Sequence, residues 1–309
     1  MSNGKMRVAV VGVGHLGRHH ARILSACEDV HLVGIVDIKA DRAEQVAAAF
    51  GGRALHDFHD LLGEVDAVTI AVPTEVHAQV ALPFLERGTA VLVEKPLARS
   101  LAEADRMIAA AAASGATFAV GHTERHNPAV RAASTVVCNP RFVEVHRLGA
   151  FPERSLDIDV VFDLMIHDLD VVLSLVHSEV EHIDAVGVPV LTNRVDIANA
   201  RLRFANGCIA NLTASRISRD KVRKIRFFQP DAYVSIDYAE QEVEVYRLVR
   251  GDGSRPIIDG GPIAVEREEP LRREMIDFIA AARTGAEPVV TGEQGRRALA
   301  VAARIVERM

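Results

Sequence analysis

The first 121 residues alternate short apolar runs with longer amphipathic segments. The apolar runs occupy residues 6–11, 31–37, 66–72, 89–94 and 117–121. Each run is nearly continuous in apolar residues, which is typical of strands buried on both faces of a parallel sheet. Because helical segments separate the runs, right-handed crossovers predict a doubly wound α/β sheet over residues 1–121.

After Gly121 the pattern changes, since residues 122–128 are polar and end in a proline, as domain junctions do. Six later segments alternate polar and apolar residues with a period of two, which is typical of antiparallel strands with one solvated face. They are residues 141–149, 195–204, 208–214, 222–229, 233–238 and 242–250. Asn206-Gly207, between two of these segments, indicates a hairpin. The sequence therefore predicts a C-terminal α+β domain over residues 122–309, with a large open-faced antiparallel sheet.

The composition excludes several classes of protein. Of 309 residues, 49% are hydrophobic and 25% are charged, as in ordinary globular chains. A net charge of −6 argues against a nucleic-acid or anionic-membrane binder. The three cysteines are far apart, so neither a disulfide framework nor a zinc site is predicted. No apolar run reaches the roughly 18 residues of a membrane span. We expect a cytoplasmic protein without a metal.

A glycine-rich motif follows the first apolar run. It consists of Gly12, Gly14, His15, Leu16 and Gly17. In a G-x-G-x-x-G motif between a strand and a helix, the glycines let the backbone approach a pyrophosphate. Asp37 ends the second run, where a carboxylate accepts hydrogen bonds from ribose hydroxyls and repels a 2′-phosphate. We therefore predict a dinucleotide site that prefers NAD to NADP, although Lys39 partly offsets the repulsion.

Two further groups of residues follow predicted strands at the carboxyl edge, where open sheets bind their ligands. Pro73, Thr74 and His77 come after the run at 66–72, where they can contact the nicotinamide ribose. Glu94-Lys95-Pro96 ends the run at 89–94, and its lysine can reach the nicotinamide end. Taken singly, His77 is more often an ordinary helix residue, and Lys95 alone is better interpreted as a solvated lysine before a loop proline.

The second half contains one candidate catalytic pair. Asp163 and His167 are four residues apart in the otherwise apolar helical segment 160–176, so both project from one helix face. A carboxylate beside an imidazole fixes its tautomer and raises its basicity. The same spacing also occurs in helix-surface ion pairs, and core histidines are common, so both interpretations stay open.

Together these motifs resemble those of the Gfo/Idh/MocA oxidoreductases, over essentially the whole chain. The resemblance rests on the glycine motif, Asp37, the segment 73–77, Glu94-Lys95-Pro96 and the D-x-x-x-H of Asp163 and His167. It implies an N-terminal Rossmann domain with tightly bound NAD(P), and oxidation or reduction of a sugar-like secondary alcohol. It also implies that Lys95 contacts the substrate, that Asp163 and His167 complete the catalytic group, and that the Lys95–Pro96 bond is often cis.

Within that family, residues 121–128 and 146–170 are similar to a subgroup of UDP-N-acetylglucosamine 3-dehydrogenases, although His126 stands where phenylalanine is usual. Arg125 in the first stretch is a candidate substrate contact. A basic cluster fits the pyrophosphate of a nucleotide sugar. Its members are Arg216, Arg219, Lys221, Arg223, Lys224 and Arg226. The same cluster also suits a solvated strand or an oligomer contact.

The sequence thus predicts an NAD-dependent dehydrogenase in which a hydride passes from a ring carbon to nicotinamide. His167 would take the hydroxyl proton, Asp163 would orient it, and Lys95 would stabilise the developing alkoxide, although Lys95 and His167 can exchange roles. A nucleotide sugar is the first expected substrate. The alternatives are a free-sugar or inositol dehydrogenase, a redox-neutral NAD-dependent glycosidase, and a non-enzymatic NAD-binding regulator. We expect a homodimer or homotetramer.

Overall fold

The computed structural model describes residues 4–151, 158–249 and 256–309. Arg250, the last residue of a predicted strand, and residues 152–157 of the stretch 146–170 lie outside the described residues. The chain forms two compact units, one of Met1–His122 with Leu271–Arg296 and one of Thr123–Pro270 with Arg297–Met309. The sequence predicts a single division after residue 121, whereas Leu271–Arg296 groups with the first unit.

The first unit contains a six-stranded parallel sheet in the order β3-β2-β1-β4-β5-β6. Its strands are β1 (Met6–Val11), β2 (Val30–Val36), β3 (Arg53–Leu55), β4 (Ala67–Ile70), β5 (Ala90–Glu94) and β6 (Phe118–Gly121). Every residue of β4 and β5 is buried, as continuous apolar runs require. The predicted doubly wound sheet is confirmed, and its strand order reverses between β1 and β4, where such sheets form a ligand crevice.

Helices cover this sheet. They are α1 (His15–Ser25), α2 (Ala40–Phe50), α3 (His77–Leu85), α4 (Leu101–Ser114) and α7 (Pro270–Thr284). Met275 and Phe278 of α7 join the hydrophobic core of the first unit, which explains why this late segment belongs to it. Among the described residues, none of the helices combines the length and the apolar character that crossing a membrane requires.

The second unit contains an eight-stranded sheet in the order β14-β13-β12-β11-β7-β10-β9-β8. Its strands are β7 (Phe142–Leu148), β8 (Val180–Val188), β9 (Ile197–Phe204), β10 (Ile209–Ser215), β11 (Val222–Gln229), β12 (Ala232–Asp237), β13 (Glu242–Val249) and β14 (Ile257–Ile263). Gly207 has a φ of 83° in the turn between β9 and β10, which confirms the predicted hairpin. The neighbouring pairs are antiparallel except β7 and β10, which are parallel. The period-two alternation does not predict this parallel pair, because alternation shows which face of a strand is buried and not the direction of the strand.

One face of this sheet is covered by helices. They are α5 (Pro128–Ser134), α6 (Ile166–Val176) and the later part of α8 (Gly292–Val306). The other face carries polar pairs, such as Arg226 with Glu144 at 2.7 Å. It also carries a row of aromatic rings whose neighbouring centroids lie 5.2 to 6.3 Å apart. The row consists of Phe142, Phe228, Tyr233 and Tyr246.

Candidate active site

The glycine motif forms the turn between β1 and α1. Gly12 has a φ of 83°, and a Cβ on it would lie 2.7 Å from the Ala71 carbonyl oxygen. A Cβ on Gly17 would lie 1.8 Å from the Gly12 oxygen, so the helix packs directly on the loop. At Gly14, by contrast, a Cβ would meet only Arg42 Nη1, at 3.8 Å. The loop therefore leaves open space at the N-terminus of α1, where backbone N–H groups can receive a pyrophosphate.

The first turn of α1 contains the two other residues of the motif. His15 is exposed, and Leu16 is half-buried. The ring of His15 packs edge-on against His19, with the centroids 5.4 Å apart. Both predicted residues thus lie at the end of the helix that borders the open space.

Asp37 follows β2 and is buried beside the glycine loop. Its carboxylate accepts hydrogen bonds from the backbone N–H of Val13 at 3.0 Å and of Lys39 at 2.9 Å. Arg42 Nη1 lies 3.2 Å from the same carboxylate. These contacts fix the carboxylate beside the glycine loop at the end of the second strand.

The three predicted residues after β4 differ in how far solvent reaches them. Pro73 is exposed and Thr74 is half-buried, so both remain available to a ligand. His77 is buried, with Nδ1 3.0 Å from the Pro96 carbonyl oxygen and Nε2 3.0 Å from the Val72 oxygen. Burial lowers the pKa of His77, and its hydrogen bonds to backbone oxygens oppose this only in part. Backbone carbonyls thus surround the ring, in place of the predicted contact with the nicotinamide ribose.

Glu94 and Lys95 stand at the carboxyl end of β5 with different exposure. Lys95 is half-buried, whereas Glu94 is buried with Oε1 3.1 Å from His20 Nε2. The Lys95–Pro96 bond is cis, as the family resemblance leads us to expect. The cofactor contact that the motif also predicts for Glu94 stays a prediction, since its carboxylate is buried against His20. Its partner His20 lies 74 residues away in sequence, so the pairing has no local signal.

Asp163 and His167 lie on either side of a change in helix type. Residues Val161–Met165 form one π-helical segment, and His167 follows in the first turn of α6. The sequence predicts one continuous helix over 160–176, and the π segment changes the rotation per residue within it. Such segments are rare and are frequently found at functional sites. Both side chains are half-buried, which suits groups that meet a substrate.

Two buried acids follow His167 on α6. Asp168 Oδ2 lies 2.6 Å from Arg147 Nε, and Arg147 Nη2 donates to Glu124 Oε1 at 3.1 Å. Burial lowers the pKa of Arg147, but the charges of Asp168 and Glu124 raise it by more, so the guanidinium stays charged.

Arg125, the predicted substrate contact, has its guanidinium 3.5 Å from the second acid, Asp170. Charged residues in an apolar helix must find partners, so the sequence held a signal for these pairs.

The other predicted substrate contact, Arg216, is fully buried in the second unit. Its Nε donates to Asp196 at 2.8 Å, and its Nη1 donates to the Ile158 carbonyl at 2.7 Å. Burial raises the pKa of Asp196, but N–H groups of Leu191 and Thr192 and the Thr192 hydroxyl lower it by more, so its pKa lies well below the usual range. These contacts give Arg216 a structural role, in place of the predicted contact with a pyrophosphate.

Replacing Arg216 with methionine is expected to lower the free energy of unfolding by about 3 kcal/mol, because Asp196 would remain buried without its cation. Urea unfolding measures the loss. The control is Arg219→Met at an exposed position of the same segment, which should change stability by under about 0.5 kcal/mol. Equal stability of the two variants would contradict the structural role.

The described residues include no group of three or more His, Cys, Asp or Glu side chains placed to hold a metal ion.

The two units each contain part of the predicted catalytic and cofactor-binding residues. The first has the open glycine turn, Asp37 and Lys95, and the second has Asp163 and His167.

Two family models match the chain. The first describes an oxidoreductase family with an NAD-binding Rossmann fold and matches residues 6–122. The second describes the GFO/IDH/MocA C-terminal domain and matches residues 129–235. Together they cover more than two thirds of the sequence.

Individual relatives extend this similarity to nearly the full length. The UDP-N-acetylglucosamine 3-dehydrogenase of Acidithiobacillus ferrooxidans is 40% identical over 97% of this chain and 96% of its own length. A solved structure of that enzyme has a TM-score of 0.92 at 37% identity and covers 99% of this chain and 98% of its own. The myo-inositol 2-dehydrogenase of Thermotoga maritima is 27% identical over 95% of this chain and 93% of its own length.

Proposed function

The chain belongs to the Gfo/Idh/MocA oxidoreductase family, and on that premise we propose that it is an NAD-dependent dehydrogenase that oxidises the hydroxyl at carbon 3 of the sugar in UDP-N-acetylglucosamine. The observation that carries the proposal is the 40% identity, over 97% of the chain, to an enzyme named for that reaction. The open glycine turn and the half-buried Lys95 and His167 supply groups that such a reaction needs.

The residues of the first unit fit a dinucleotide. The open side of Gly14 and the N-terminus of α1 suit the pyrophosphate, and the fixed carboxylate of Asp37 suits the ribose hydroxyls. Bound NAD supplies the hydride acceptor. The Asp37 carboxylate repels a 2′-phosphate, which Arg42 and Lys39 offset only in part, so the site favours NAD over NADP.

Replacing Asp37 with serine is expected to weaken NAD binding by about 10- to 100-fold, because hydrogen bonds from the ribose to a charged acceptor are lost. NADP binding should weaken less or improve, since the repulsion of its phosphate is removed. Fluorescence titration with NADH and NADPH measures both affinities. The control is Asp41→Ser, an exposed acid in the first turn of α2. If the ratio of NADH affinity to NADPH affinity were unchanged in Asp37→Ser, Asp37 would have no part in cofactor selection.

We assign the chemistry to Lys95, Asp163 and His167. An imidazole titrates close to neutrality, so His167 is suited to take the proton from the substrate hydroxyl. Asp163 orients the imidazole. The ammonium group of Lys95 stabilises negative charge on the substrate oxygen as the proton leaves.

The substrate class is tested by following NADH formation with UDP-N-acetylglucosamine, free N-acetylglucosamine and myo-inositol. The proposal expects the highest kcat/KM with the nucleotide sugar. Faster oxidation of myo-inositol would favour the second candidate, an inositol dehydrogenase, which the relative from Thermotoga maritima supports. NAD binding without turnover of any carbohydrate would favour a regulator, and loss of a leaving group without NADH would favour a glycosidase.

The second face of the eight-stranded sheet suggests self-association. Its aromatic row includes Phe228 and Tyr246, both large and exposed. Symmetric pairing is the common way to cover such a face. We therefore expect a homodimer or homotetramer, and a monomer mass in sedimentation equilibrium would contradict this.

A further inference from the structure

The turn that carries Lys95 rests on two buried histidines. It consists of residues 94–97, at the carboxyl end of β5. His20 on α1 is 0% exposed and His77 on α3 is 1% exposed. The two rings contact the turn from different helices, so each restrains it independently.

His20 reaches Lys95 through Glu94. His20 Nε2 lies 3.1 Å from Glu94 Oε1, and Glu94 Oε2 accepts the backbone N–H of Lys95 at 3.2 Å. Gly121 on β6 lies opposite Glu94, and a Cβ there would come within 3.0 Å of the carboxylate. Because the sheet closes off that side, the carboxylate is confined between the imidazole of His20 and the backbone of Lys95.

The burial of His20 is costly, which points to a role beyond packing. Its Nδ1 has no hydrogen-bond partner among the described residues. Burying a polar atom without a partner destabilises the fold, and an apolar side chain at this position would avoid that cost. The imidazole is therefore kept for what Nε2 does, which is to hold Glu94.

His77 contacts the other end of the turn. Its Nδ1 lies 3.0 Å from the Pro96 carbonyl oxygen and 3.3 Å from that of Leu97. Its Nε2 lies 3.0 Å from the Val72 oxygen, just after β4. All three neighbours are acceptors, whereas the neutral ring has a single N–H to donate. Because two of the three carbonyls face Nδ1, we assign the proton to Nδ1, where it serves the Lys95 turn. Through that proton the ring donates a hydrogen bond to the chain after β5.

We propose that His20 and His77 are positioning residues that hold the backbone of Lys95 for catalysis without touching substrate or cofactor. The inference rests on the proposed function, because the position of Lys95 matters only if its ammonium acts. Misplacing a catalytic group by about 1 Å can cost about 100-fold in rate. Loss of either histidine should therefore lower kcat more than it affects cofactor binding.

Four conservative variants separate the two ring nitrogens of each histidine. Asparagine places a donor near the position of Nδ1, and glutamine places one near Nε2. His77→Asn should keep kcat within about 5-fold of the wild type, while His77→Gln should lose about 30- to 100-fold. The order reverses at the other site, where His20→Gln keeps the donor to Glu94 and His20→Asn loses it. The assay is NADH formation from UDP-N-acetylglucosamine, with NADH affinity expected to stay within about 2-fold.

A control variant accounts for simple destabilisation. Phe278→Leu alters a buried side chain of α7 in the core of the same unit and should lower the melting temperature without lowering kcat. Amide hydrogen exchange at Lys95 adds a readout that needs no substrate, and it should accelerate in His20→Asn but not in His20→Gln. Equal kcat within each pair of variants, or unchanged exchange at Lys95, would overturn the inference.

The results that would contradict the proposed function differ from those that would contradict the positioning role of the histidines. If Lys95→Met retained full turnover, Lys95 would have no catalytic role, whatever the histidine variants did. If Lys95→Met lost activity while the histidine pairs behaved alike, only the positioning inference would fall. If the wild type oxidised no carbohydrate, the catalytic assignment would fail, and amide exchange at Lys95 would still report whether the histidines hold the turn.

Discussion

Replacing Lys95 with methionine is expected to lower kcat for NADH formation by about 10³-fold. Methionine keeps much of the length and volume of the side chain but removes the ammonium group. A preorganised donor aimed at a developing oxyanion contributes about 10²- to 10³-fold in rate, and the proposed mechanism gives this task to the ammonium of the half-buried Lys95. Its loss should therefore act on kcat, with little change in NADH affinity.

Steady-state kinetics and NADH fluorescence titration separate these effects in Lys95→Met. The matched control is Lys5→Met, which removes an exposed lysine from the same unit and should leave kcat unchanged. Turnover of Lys95→Met within about 3-fold of the wild type would mean that the ammonium does not stabilise the transition state.

Replacing His167 with asparagine is expected to lower turnover by about 10²- to 10⁴-fold, because the group that we propose as the acceptor of the hydroxyl proton is removed. The pH profile of kcat/KM adds a second readout. In the wild type the rate should fall at low pH as the base becomes protonated, and in His167→Asn this acid limb should disappear.

The same pH profile decides between the two open assignments of the base. Loss of the acid limb in Lys95→Met, with the limb retained in His167→Asn, would make Lys95 the base and His167 the electrostatic partner. The control is His182→Asn, an exposed histidine on β8 that lies 3.1 Å from Asp184. Full turnover of His167→Asn would exclude this residue from the mechanism.

Short sequence motifs predict those parts of the structure whose geometry depends on residues close together in the chain. The glycine turn, Asp37 at the end of β2 and the hairpin at Gly207 all follow from short motifs whose geometry is set within a few residues. Ser100 and Glu103 have the spacing of a capping box before an alanine-rich segment that ends at Gly115, which predicts a capped helix. In α4 the Ser100 side chain accepts the Glu103 N–H, and Gly115 adopts a φ of 72°.

The burial and the role of some residues depend on partners that are distant in sequence, which the local motifs do not predict. His77 finds Pro96 across 19 residues and Arg216 finds Asp196 across 20, so neither burial nor role follows from the local pattern. A basic cluster predicts charge, but the burial of Arg216 turns one of its members into a structural cation. The parallel pairing of β7 and β10 likewise depends on the whole sheet.

The most direct test of the central claim uses UDP-N-acetylglucosamine carrying deuterium at carbon 3 of the sugar. The proposed reaction transfers that hydrogen as hydride, so mass spectrometry should find deuterium in the NADH formed, and kcat/KM should fall relative to the unlabelled substrate if hydride transfer limits the rate. NADH that forms without deuterium, or a substrate that leaves NAD unreduced, would contradict hydride transfer from carbon 3.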